Sequence, residues 1–129
     1  KESKAQFALM EKILLPLREG RPARTASITA EEMPAFRALQ LLTAKPVVYV
    51  CNVEEASAAT GNAFSKMVEE RAKAEGAVSV VISAKIEAEF AGLPEADRSE
   101  FLESMGLEEP GLNRLIRAGY ALLDLVTYF

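Results

Sequence analysis

Histidine is absent from all 129 residues, which removes the commonest side-chain general base and metal ligand. Cysteine occurs once, as Cys51, so no internal disulfide can form and a reducing cytoplasm is the expected setting. Cys51 ends an apolar run, and is expected as a small buried side chain rather than a reactive thiol. No apolar stretch approaches the roughly 20 residues of a membrane-spanning helix, so no membrane partner is expected. The charged amino terminus does not read as a signal peptide. The phosphate-cradling pattern Gly-x-x-x-x-Gly-Lys-[Ser/Thr] is missing as well. Whatever grips phosphates is therefore expected outside this chain. Charge of one sign is not in strong excess: 15 Lys and Arg against 19 Asp and Glu leave −4, no general reason to expect nucleic acid or an anionic membrane.

Half of the residues are hydrophobic and 26% are charged, which suits one soluble domain with a modest core. The charge is unevenly spread. Lys1, Lys4, Lys12, Arg18, Arg21 and Arg24 face only Glu2, Glu11 and Glu19 in the first 24 positions, whereas residues 95–109 are mostly acidic. A basic start can touch phosphate or simply be a solvated helix face. The chain opens at Lys1 in helical pattern and closes on the β-like run Val126-Thr127-Tyr128-Phe129. Both ends read as cut, so a fragment of a longer protein is expected.

Apolar residues at Phe7, Met10, Ile13, Leu14 and Leu17 predict an amphipathic helix over 1–19. Pro16 should weaken its last turn, and Gly20 with Pro22 should end it. A loop, Arg21 to Ile28, leads to the capping-box pattern Thr29-Ala30-Glu31-Glu32. The helix after it is predicted to bury Met33, Phe36, Leu39 and Leu42 and to end near Thr43. Val47 to Val50 reads as a strand covered on both faces, as in a parallel sheet. Asn62 to Glu75 reads as a helix with Phe64, Met67, Val68 and Ala72 inward and Gly76 as its stop. A second strand, Val78 to Ile82, completes a right-handed βαβ unit. Beyond Lys85 the pattern is helical: a short turn over Ile86 to Phe90, a helix from Pro94 to Met105 stopping at Gly106, and a last helix after Pro110. Phe101 and Leu102 are predicted inward, as are Leu112, Leu115, Ile116, Tyr120 and Leu123.

Both strands release polar groups at their carboxyl ends, where open α/β sheets bind ligands. A base pocket needs a flat apolar slot and a few fixed edge groups. Asn52 would offer an amide donor and acceptor there. Val53 would cover one face of the ring, and Glu55 would reach its hydrogen-bonding edge. Ser83 and Ala84 would bring backbone groups to the same edge, with the Lys85 stem on the other face. Each residue also has a plainer role: Asn52 ending a strand, Glu55 as a solvated carboxylate, Ser83 as a helix cap. The two motifs lie 31 residues apart, from Asn52 to Ser83, within one βαβ unit.

The runs Leu42 to Glu55, Ser83 to Glu89 and Gly111 to Tyr120, with Thr127-Tyr128-Phe129, closely resemble the YchF family, the Obg-like ATPases. These are also known as GTP-dependent nucleic acid-binding proteins. The resemblance implies a P-loop nucleotide domain with an inserted coiled coil and a following TGS domain. It makes this chain an α/β fragment: the carboxyl half of a P-loop NTPase, with a Rossmann-like parallel sheet and an amino-terminal helical arm. Residues 1–24 would be the returning arm of the coiled coil. Residues 25–129 would be the carboxyl half of the nucleotide domain, with Phe129 at the TGS border.

It also implies a role for Glu55. In ordinary GTPases the base motif is Asn-Lys-x-Asp; here Val53 takes the lysine position and Glu55 the aspartate position. One added methylene displaces the carboxylate by about 1.5 Å, enough to spoil a bidentate guanine contact. The intact protein is thus expected to bind ATP at least as well as GTP, in the cytoplasm and with ribosome or RNA as partner. Hydrolysis needs phosphate clamps, Mg2+ and a positioned water, and the family places those ligands in the missing amino-terminal half. The chain alone is expected to be inert, with negligible nucleotide affinity. The competing expectation is a non-catalytic RNA- or protein-binding module with a vestigial pocket.

Overall fold

A computed structural model describes residues 2–126. The chain divides after Pro46 into two compact units. In the first, helix α1 spans Glu2–Arg18 and buries Leu9, Ile13 and Pro16, spaced four and three residues apart. This corrects the predicted stripe, because Phe7, Met10, Leu14 and Leu17 are exposed and only Ile13 of that set is buried. Pro16 lies inside the helix without ending it. Gly20 follows at φ +71, a left-handed turn that suits glycine.

The capping-box pattern forms as predicted. Glu32 N–H donates to the Thr29 hydroxyl (3.3 Å), and Thr29 N–H donates to the Glu32 carboxylate (3.0 Å). Helix α2 then covers only Met33–Ala38, shorter than predicted. Gln40 adopts φ 49, which no right-handed helix continues through, and Leu42 is left 80% exposed. Leu9, Ile13, Ala23 and Phe36 form this unit's core, with Ile28, Met33 and Leu41 packed against it.

The second unit is built on two parallel strands, β1 (Val48–Asn52) and β2 (Val78–Ile82), paired from Val48↔Val78 to Asn52↔Ile82. Helix α3 (Ala63–Glu75) connects them. Asn62 and Ser65 cap it reciprocally, and Gly76 ends it in left-handed conformation. Its inward residues are Ser65, Val68 and Ala72, whereas the predicted Phe64 and Met67 are exposed. Helices α4 (Ala84–Gly92), α5 (Arg98–Ser104) and α6 (Gly111–Leu122) follow.

A core of Ala58, Ile86, Leu102 and Leu107 is flanked by Phe90, Phe101 and Met105. Helices α3 and α6 both pack on the strand pair. Full cover of β1 on both faces, as predicted, is not found: Val50 remains exposed. The predicted face of α6 is also corrected. Gly111 is buried and Leu115 half-buried, while Leu112, Ile116, Tyr120 and Leu123 are exposed. The terminal run Thr127-Tyr128-Phe129 lies outside the described residues. Among the described residues no helix is long and apolar enough to cross a membrane. The α/β class with a parallel sheet is as the sequence predicted.

Candidate functional site

Strands β1 and β2 end side by side, with Asn52 opposite Ile82. The next backbone step keeps that register, since Val53 N–H donates to the Ile82 carbonyl at 2.8 Å. Two loops are thereby held together, one running into α3 and one opening α4. The Asn52 side chain spans them: its Oδ1 accepts from Ala84 N–H at 2.9 Å. Further along the two loops, Lys85 and Glu55 form an ion pair. The hydrogen bond to Glu55, reinforced by its charge, raises the Lys85 ammonium above its ordinary value. Four of the six predicted residues therefore meet as two pairs, Asn52 with Ala84 and Glu55 with Lys85.

Val53 and Ser83 lie beneath them. Val53 is 8% exposed and Ser83 3% exposed, so they form floor rather than rim. Ser83 stands at the N-cap position of α4 but makes no capping bond. Among the described residues its hydroxyl is buried with no hydrogen-bond partner, while its carbonyl accepts from Glu87 N–H at 3.0 Å. The side-chain cap considered from sequence is not made. A cleft of about 470 Å³ borders the site on the α6 side, lined among others by Ile82, Ala84, Glu87, Leu112 and Asn113.

Two carboxylates that sequence reasoning gave no role hold this arrangement together. Glu87 accepts from the N–H groups of Gly111 (2.7 Å) and Leu112 (3.2 Å), satisfying the first turn of α6. A signal for it existed. Pro110 precedes that helix and has no side-chain acceptor, so its orphan donors turn to water or to an acceptor from elsewhere in the chain. Glu54 accepts from the Ser57 hydroxyl and from the Asn62 amide at 3.1 Å. The Ser57 hydroxyl first, then Glu54's own backbone N–H and Asn62, hold its carboxyl below the usual range.

These features reduce to an asparagine and a carboxylate three residues on, set against the start of a Ser-Ala-Lys helix at the ends of two parallel strands. Curated proteins match the chain from end to end. A ribosome-binding ATPase YchF of Escherichia coli O157:H7 is 46% identical over 129 residues, all of this chain and 35% of its own length. Over its whole length the chain is similar to YchF proteins. The YchF of Haemophilus influenzae shares the same identity and coverage, and that of Bacillus subtilis is 39% identical over 131 residues, 36% of its length. The YchF match thus spans about a third of each of these relatives. No family model matches the chain. The α/β fold with its parallel strand pair agrees with the carboxyl half of the YchF nucleotide domain.

Proposed function

We propose that this chain supplies the base-recognition half of a YchF-type ATPase that binds and hydrolyses ATP, GTP or both. The observation that carries this reading is the Asn52 Oδ1 to Ala84 N–H bond of 2.9 Å, which ties two strand-end loops into one rim. On that rim the Asn52 amide, the Glu55 carboxylate and the Lys85 stem remain within reach of a ligand, above a floor of Val53 and Ser83. An adenine edge presents an amine, which a carboxylate accepts. Glu55 releases part of its pairing with Lys85 to do so, and the Lys85 stem lies against the ring.

The relatives are named ribosome-binding ATPases, and we extend ribosome association and a cytoplasmic setting to this chain. Helix α1, whose Phe7, Met10 and Leu14 are exposed, would serve as the returning arm of a coiled coil. Among the described residues no group of three or more His, Cys, Asp or Glu could hold a metal ion. The resemblance to YchF assigns the ligands of a Mg2+ accompanying the phosphates, and the phosphate grip, to the amino-terminal half of the intact protein.

The test is competitive binding of ATP and GTP to a polypeptide of the relatives' full length carrying this sequence, wild type against Glu55→Asp. Wild type is expected to take ATP at least equally. The aspartate variant is expected to shift about tenfold toward GTP, the scale of a single hydrogen bond that one base makes and the other does not. A strong GTP preference of the wild type would sink the account of Glu55. Binding of neither nucleotide would return the chain to the class of ribosome- or RNA-binding modules.

A further inference from the structure

Glu54 and Glu55 are adjacent, yet their carboxylates engage different elements. Glu55 pairs with Lys85 at the start of α4. Glu54 turns to the other side of the loop, to Ser57 and to Asn62. Asn62 is itself committed: its Oδ1 accepts from Ser65 N–H at 3.0 Å as the cap of α3, which leaves its amide N–H for Glu54. Gly61 N–H donates to the Ser57 carbonyl at 2.7 Å, and Ala58 between them is buried in the core. The segment from Glu54 to Asn62 is therefore closed on itself and bolted to the amino terminus of a 13-residue helix. We infer that Glu54 is a positioning residue for the base site, holding the backbone of Glu55 in the place from which it meets the base.

The argument is one of linkage along the chain. Glu55 opens a single 3₁₀ turn, Glu55–Ser57, which has few bonds of its own to fix its orientation. Its anchors are the strand register behind it, the backbone bonds from Ser57 N–H to the Glu54 carbonyl (3.0 Å) and from Ala58 N–H to the Glu55 carbonyl (3.1 Å), the buried Ala58, and the Glu54 side-chain bonds to Ser57 and Asn62. Remove the Glu54 carboxylate and the strand still ends correctly and Asn62 still caps α3, but the turn between them loses the side-chain ties to Ser57 and Asn62 that fix its tilt. Contacts that require a carboxylate at one distance from one ring edge lose most from such freedom. Contacts to phosphates, made elsewhere, lose nothing.

The inference rests on the base-site reading, and the experiment separates the two. In a polypeptide of the relatives' full length, affinities for ATP and for ribose 5-triphosphate, which carries phosphates but no base, are compared for wild type, Glu54→Ala and Glu54→Gln. Glu54→Ala is expected to narrow the preference for ATP over the baseless triphosphate by about three- to tenfold, with the triphosphate affinity and melting temperature nearly unchanged. Glu54→Gln, whose amide oxygen still accepts from Ser57, should recover part of the preference. A wild type that does not distinguish the two ligands overturns the base-site reading and this inference with it. A wild type that distinguishes them, with the alanine variant equal to it, overturns the role of Glu54 alone. Equal weakening of both ligands by the alanine variant also overturns it, because that is the mark of a general folding defect.

Discussion

At Gly111 a side-chain carbon would stand 2.8 Å from Glu87 Oε1 and 2.8 Å from Ile82 Cγ2. Neither neighbour can retreat freely, since Glu87 caps α6 and Ile82 is the last paired residue of β2. Gly111→Ala should therefore destabilise the chain by about 1–3 kcal/mol through overpacking, read as a lower urea midpoint at unchanged slope. An unchanged midpoint would show that the helix end shifts without cost. This residue also marks a limit of what sequence discloses. Asn52, Glu55 and the Ser83-Ala84-Lys85 run were legible because strand ends release polar residues at recognisable spacing. Glu87 and Glu54 were not, because a carboxylate that bonds backbone or a neighbouring amide looks like any solvated acid until its partners are known.

Between elements, charge does for the first unit what close packing does for the second. The Lys12 ammonium lies 2.6 Å from Glu32, joining α1 to the start of α2. Lys12 first, with the Thr29 backbone, lowers the Glu32 carboxyl from 4.5 to about 2. A depressed carboxyl contributes stability that is fully present above its ordinary value and is lost as pH falls through its folded value. The first unit should accordingly loosen between pH 4.5 and about 2. In Lys12→Met that loss should be smaller and complete at a higher pH, because the folded value of Glu32 lies closer to 4.5, measured by acid titration of helical circular dichroism. Coincident titrations for the two proteins would refute the link.

Helix existence was legible at this scale and helix facing was not. Periodicity pointed Phe64, Met67, Leu112 and Ile116 inward, but the sides that meet the sheet carry Ser65, Ala72 and Gly111. Small residues let a helix approach a strand closely, and a hydrophobicity pattern does not register them. In α1 the same pattern found Ile13 but not Leu9 and Pro16. Its apolar residues are spread around more of the helix than one core can cover.

For the chain as a whole, those outward stripes have a consequence. Leu112, Ile116 and Tyr120 recur every four residues on α6, and all three are exposed. Exposed apolar patches of this kind bind other apolar surfaces. The 129-residue chain alone should bind the dye ANS, and the double variant Leu112→Lys, Ile116→Lys should reduce the fluorescence at least about twofold. Equal fluorescence in the two would place the dye elsewhere.

The strand pairing bears on how this polypeptide folds. Val48 and Val78 are partners yet stand thirty residues apart, so the first sheet bond forms only after a long loop has closed. Loop closure of this kind is repaid late and slows folding. Helix α3 lies within that loop, and its reciprocal cap and left-handed stop are purely local, so it can form early and shorten the search. The last step is then the meeting of two strand ends, the same event that brings Asn52 to Ala84. Refolding should therefore restore helical signal before it restores the rim, and the slow phase should belong to the site.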